Sequence, residues 1–366
     1  MRGSLIMWTD FLQTRTGVGA EDGSPERAGD ILLKTSYATL TRSAALADRS
    51  SRALLEVTGK DRAAWLHNLI TNEVRNLRMG EGCYAFACNV QGRILFDLNV
   101  LVRKEALWID MDRRFRDTAI KHFARYTITE DVTIADKSDA FARAAICGPD
   151  MARVLAGLGA THAGAMALPS LDAIYWDGDS VLIARVEVCG LPCVDIFAPP
   201  DRATALWTWL CDPARECPTA PIGNEAVEVR RIEAGLPASG REITEEYLPA
   251  ETRQLDRAVS FTKGCYLGQE VIERMRSRKV VARLLCGMRL DGDAVPPAGA
   301  AIVETDEKPI GSITSACRSV ALDRVIALGC VKAASAQPGG RVRVRWEGGE
   351  ANSEIAGLPF VGSAPH

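Results

Sequence analysis

The sequence contains no C-x-x-C pair and only four histidines (His67, His122, His162 and His366), none beside a cysteine at a zinc-ligand spacing. The eleven cysteines are an odd number, and their closest pairs are Cys189 with Cys193, Cys83 with Cys88 and Cys211 with Cys217. Most lie in apolar runs such as residues 85–88 and 144–147. That pattern argues against a metal site or a disulfide framework and for buried free thiols in a reducing cytosol. No window approaches the roughly 18 apolar residues that a membrane helix needs, so a soluble, cytoplasmic protein is expected. A formal net charge of −3 gives no electrostatic case for nucleic acid or an anionic membrane as the main partner. No P-loop or dinucleotide fingerprint occurs.

What is present is ordinary globular material: 366 residues, 47% hydrophobic and 25% charged, enough for two or three domains. Residues 1–29 carry glycines, a proline and scattered charges without periodicity, and read as a mobile extension. Beyond them, helical spacing over 60–69, 114–126, 149–158, 203–211 and 223–235 alternates with strand-like runs over 54–59, 84–89, 93–102, 107–111, 140–147, 180–188 and 194–197. This mixture predicts an α+β fold: a first module over 30–140 and a second over 141–279. From 280 to 366 only short β-type runs appear, separated by glycine and proline, which predicts a small antiparallel barrel.

Three places could carry chemistry. Lys263-Gly264-Cys265-Tyr266-Leu267-Gly268-Gln269-Glu270 places a thiol two residues from an ammonium that would favour the reactive thiolate. The plain alternative is a surface turn with an incidental cysteine. In the 223–235 helix, Glu233 projects along the buried stripe formed by Val229, Ile232 and Leu236. Such a carboxylate needs a partner, either Arg230 in a local salt bridge or a ligand with adjacent N–H donors. In the 93–102 strand, alternation puts Ile94, Phe96, Leu98, Val100 and Val102 on one apolar face and Asp97 and Asn99 on the other. Pattern alone favours a half-solvated sheet face slightly; the alternative is a polar lining for a cavity.

The run 261–270 closely resembles the K-G-C-Y-x-G-Q-E signature of the YgfZ-type folate-binding proteins, relatives of the glycine-cleavage aminomethyltransferases that act in iron–sulfur cluster assembly or repair. Arg231-Ile232-Glu233-Ala234-Gly235 is similar to the R-[IL]-E-A-G segment of the aminomethyltransferases, and residues 92–98 to their G-G-I-x-D-D-L segment, with Phe96 where the first of the two acids stands. The resemblance implies two mixed α/β modules and a C-terminal antiparallel barrel around a central channel that receives tetrahydrofolate or a one-carbon derivative. It places Glu233 on the pterin, with Arg231 in the same segment, and Asp97, Asn99 and Tyr84 lining the channel. Lys263, Cys265 and Tyr266 form the motif loop beside it, Cys265 and Lys263 being the reactive pair. Phe96, and Cys265 where the transferases have aspartate, point away from one-carbon transfer. The implied protein is a monomeric folate-dependent accessory, its partners iron–sulfur assembly proteins or client iron–sulfur enzymes. A folate-dependent aminomethyltransferase is the alternative.

Overall fold

Two open sheets and a closed barrel make up the computed structural model, which describes residues 25–278, 281–304 and 307–362. The chain opens with helix α1 (Pro25–Arg42) and strand β1 (Ala45–Asp48). Next come β2 (Arg52–Thr58), α2 (Arg62–Leu69), β3 (Gly82–Cys88), β4 (Ile94–Val102), β5 (Leu107–Asp112), α3 (Arg116–Arg125) and β6 (Thr133–Asp136). These strands form a five-stranded sheet in the order β3-β4-β5-β2-β6. The expected N-terminal extension lies mostly outside the described residues; from Pro25 the chain is helical.

The next stretch supplies β7 (Ala142–Cys147), α4 (Met151–Ala156), β8 (Ser170–Trp176), β9 (Asp179–Arg185), β10 (Cys193–Ala198), α5 (Ala203–Leu210), β11 (Ala220–Ile222) and α6 (Asn224–Glu233). Its strands form a six-stranded sheet with β1 inserted between β11 and β7. The segment expected to open the first module therefore starts in the second sheet, through a pairing with residues about a hundred positions away. Two helices, α7 (Leu255–Ala258) and α8 (Gln269–Arg278), then lead to β12 (Arg283–Leu290), β13 (Ala301–Val303), β14 (Pro309–Ser319), β15 (Arg324–Lys332), β16 (Arg341–Trp346) and β17 (Gly349–Ala356). These six close into the expected antiparallel barrel.

Alternation along β4 and β5 decides what faces what. Phe96, Leu98 and Val100 of β4, with Leu107, Ile109 and Met111 of β5, pack with Trp65 and Leu66 of α2 and Phe123 of α3. On the opposite face Leu101 and Trp108 meet Leu171, Leu182 and Phe197 of the second sheet, with the Trp108 and Phe197 rings 5.4 Å apart. The Asp97 face is therefore mixed: Asn99 and Leu101 are buried toward the second sheet, while Arg93, Leu95 and Asp97 are only half-buried. The sequence also misplaces Ile94: a register shift in the β3–β4 ladder moves it off the Phe96 face, into the cluster of Tyr84, Phe86 and Tyr266. Among the described residues, no helix is long and apolar enough to cross a membrane.

Candidate functional site

The motif loop is pinned to the five-stranded sheet by its lysine and its second glycine. Gly268 has φ +84°, and a Cβ there would stand 2.7 Å from the Asn89 carbonyl and 3.0 Å from Gly92 Cα, so only glycine lets the loop lie on the β3–β4 turn. Lys263 is buried, and its ammonium donates to the carbonyl oxygens of His67, Ile70 (2.7 Å) and Asn72 (2.8 Å). Burial pulls its pKa down to about 8, still above neutrality. Three donors are spent on three carbonyls, leaving none for the thiol. Lys263 clamps the loop through these carbonyls and makes no hydrogen bond to Cys265, so any effect on the thiol would have to come through its charge alone. Lys263→Met keeps the stem and strands those carbonyls, so urea unfolding should show a loss of about 2 kcal/mol.

Cys265 alone among the eleven cysteines is exposed. It opens on a cleft of about 450 Å³ lined by His67, Asn68, Arg75 and residues 264–267. His67, which no sequence motif marks, is 3% exposed, and its Nδ1 lies 3.0 Å from Glu73. Burial and the neighbouring Lys263 charge lower the His67 pKa, keeping the ring neutral at pH 7. Tyr266 turns inward beside Tyr84 and Phe86, and its hydroxyl is buried without a hydrogen-bond partner.

On the inter-sheet face the structure brings together Tyr84, Asp97 and Asn99. The Tyr84 hydroxyl donates to Asp97 Oδ2 at 2.9 Å, and Ser239, from the segment after α6, donates to Oδ1. Arg257 of α7 lies over the Tyr84 ring at 4.0 Å, with its Nε buried and unpartnered. Deeper in, Asn99 donates to Asp110 (3.2 Å), which also takes Arg52 and Arg143. Arg143 reaches on to Asp195 (2.8 Å), which Arg49 holds from the other side (2.9 Å). Two buried carboxylates and three guanidinium groups thus join the sheets. Neither Ser239 nor Arg257 carried any sequence signal, because each arrives from more than 140 residues along the chain.

Two expected folate contacts lie elsewhere. Glu233 is fully buried, and its carboxylate accepts from the hydroxyls of Tyr37 on α1 and Ser319 on β14 (2.6 Å) and from Ala321 N–H (3.2 Å). These protein groups already occupy its carboxylate, and Arg230 forms no ion pair with it, donating instead to the carbonyls of Gly190 and Gly362. All five N–H donors of Arg231 are engaged: Nε and Nη2 hold Glu228, Nη2 also Ser315, and Nη1 holds Glu242 and the Leu236 carbonyl. Both residues tie α6 to the barrel. The sequence pattern places Glu233 on the buried stripe, but its partners come from α1 and β14, far along the chain.

The profile of the GCVT N-terminal domain matches residues 27–263, and that of the glycine cleavage T-protein C-terminal barrel domain matches 283–361. The chain is 30% identical over 330 residues to the aminomethyltransferase of Streptomyces avermitilis, covering 87% of this chain and 86% of that protein. It is 29% identical over 300 residues to that of Rubrobacter xylanophilus, covering 82% and 79%. Its fold is similar to the crystal structure of glycine cleavage system aminomethyltransferase T from Bartonella henselae, with a TM-score of 0.79 and 23% identity over 90% of each chain.

Proposed function

The chain belongs to the glycine cleavage T-protein family, and from that membership we propose a tetrahydrofolate-binding protein whose motif thiol, Cys265, serves iron–sulfur proteins as an accessory to cluster assembly or repair. The observation that supports it is Cys265 itself: a single exposed thiol on a loop clamped by a buried lysine and a glycine contact, opening on its own cleft. Thiols kept for packing are buried, as most of the others here are.

The polar groups around Tyr84 and Asp97 match tetrahydrofolate better than the helix that carries Glu233. The reduced pterin carries N–H donors and ring acceptors and holds one-carbon units. Asp97 offers acceptor lone pairs, while Arg257 Nε and the Tyr266 hydroxyl are buried donors without partners. Tyr84 holds Asp97 in place. Glu233 and Arg231 do not fit as direct contacts, since their polar atoms are already committed.

A second reading, folate-dependent aminomethyl transfer, has more direct support from the relatives, which bear that name. The structure also removes one argument against it. Position 96 faces the apolar core, where Phe96 meets the Phe123 ring at 5.8 Å, so phenylalanine there takes no carboxylate away from the site. The acid on the site face is retained as Asp97.

Calorimetric titration with tetrahydrofolate tests the shared part: Asp97→Asn should bind at least tenfold more weakly, and Cys265→Ser should keep wild-type affinity. Unchanged affinity in Asp97→Asn would remove the inter-sheet assignment. The two readings then part on activity. Cys265→Ser should fail to restore iron–sulfur enzyme activity in a deletion strain, whereas methylene transfer from an aminomethyl donor at an enzymatic rate would establish the transferase instead.

A further inference from the structure

Cysteine spacing gives no metal motif, yet the fold gathers three cysteines that the sequence keeps apart. Cys147 ends β7, and Cys193 opens β10 as its direct partner in the antiparallel ladder. Cys189 lies in the irregular segment 186–192 that leads into β10. Their Sγ atoms all lie within 4.8 Å of one another, with Cys189 and Cys193 at 3.8 Å. Among the described residues no other group of histidine, cysteine or acidic side chains converges in this way. The trio is 0–2% exposed, inside an apolar shell that includes Leu40, Ala145, Ile222 and Val229.

We propose that Cys147, Cys189 and Cys193 form a three-thiolate site for one copper(I) ion. A metal about 2.3 Å from each sulfur requires sulfurs about 3.8–4.0 Å apart, so the trio needs to close by less than about 1 Å. A Cys189–Cys193 disulfide would instead need those sulfurs to close to about 2.05 Å and would leave Cys147 out. Thiolates select soft ions, and no fourth ligand from the described residues joins the group, which favours three-coordinate copper(I) over closed tetrahedral zinc.

Charge supplies an independent reason. Three thiolates around a monovalent ion leave two negative charges in an apolar shell. Arg230, 2% exposed, lies against Gly190, the residue after Cys189; it forms no ion pair among the described residues, and its Nη1 is buried without a partner. A buried guanidinium lacking an anion is costly, and the thiolate complex provides one. On binding, three S–H protons leave to solvent as three S–Cu bonds form, with no change of oxidation state.

Anaerobic titration of the reduced full-length protein with copper(I), against a chelator of known affinity, tests the site. One equivalent should be withdrawn from the chelator, with a near-ultraviolet thiolate-to-copper band. Cys147→Ser and Cys193→Ser should each bind about 100-fold more weakly, and Cys217→Ser should match wild type. Failure to withdraw copper, equal binding by Cys147→Ser, or displacement of copper by equimolar zinc would overturn the assignment. If the serine variants do not fold, X-ray absorption at the copper edge of the wild-type complex decides it: three sulfur neighbours support the site, and two sulfurs or nitrogen and oxygen neighbours refute it.

Discussion

Asp110→Ala should destabilise the protein by about 3–5 kcal/mol in urea unfolding, the loss expected when one member of a buried ion network is removed. Asp110 is fully buried on the inter-sheet face of β5 and receives Arg52 from β2, Arg143 from β7 (2.8 Å) and Asn99 from β4 (3.2 Å). Without it Arg143, itself 5% exposed, keeps only Asp195, and Arg52 loses its ion-pair partner. The damage comes less from lost attraction than from guanidinium charge left in a dry interface. Asp110→Leu alone therefore does not rescue it; rescue requires neutralising an arginine as well, a non-additivity that a double-mutant cycle with Arg52→Met would register.

The same residue sets an acid limit. Burial alone would raise its pKa, but the charges of Arg52 and Arg143 and the hydrogen bond from Arg52 outweigh it and hold the carboxyl well below the usual carboxylate range. The unfolded chain thus binds the proton more readily than the folded one. Asp110's contribution is fully present above its unfolded pKa of about 3.9 and is lost as pH falls from there toward the depressed folded value. Asp110→Asn should flatten the fall of unfolding free energy below about pH 4. An unchanged acid slope would show that this carboxylate does not govern acid stability.

What the sequence made legible was local. Strand and helix periods located most elements, because alternation at 96–102 and helical spacing at 203–211 record which face is buried. The barrel followed from short β runs and glycine-rich turns. Pairing across the chain left no such record: β1 joins β7 and β11, Ser239 reaches Asp97, and Tyr37 reaches Glu233. Charged residues misled most, since a buried carboxylate carries the same sequence mark whether its partner is a ligand or a hydroxyl two hundred positions away. Lys263 shows the same ambiguity from the cationic side: adjacency to a cysteine was visible, and the three carbonyls that occupy it were not.

Glu233 turns that ambiguity into a measurable choice. If its carboxylate held the pterin, Glu233→Ala would weaken folate binding and leave stability nearly intact. The structure calls for the reverse. Tyr37 and Ser319 hydroxyls and the Ala321 N–H all donate to this one side chain, while its backbone carbonyl accepts from Phe360 (2.9 Å) and Val361 (3.1 Å). Burial and the Glu233 charge raise the Tyr37 pKa, so the phenol stays a proton donor at any ordinary pH. The residue therefore fastens α1, α6 and the barrel together. Alanine would strand two buried hydroxyl donors, Tyr37 and Ser319, and open a cavity, a loss of about 3–5 kcal/mol; glutamine, which keeps the size and one carbonyl acceptor, should lose less. Measured below its melting temperature, folded Glu233→Ala should bind tetrahydrofolate within about twofold of wild type, since each 1.4 kcal/mol of direct contact would appear as tenfold. Lost binding with an unchanged melting temperature would return Glu233 to the pterin and take Asp97 out of the centre of the site.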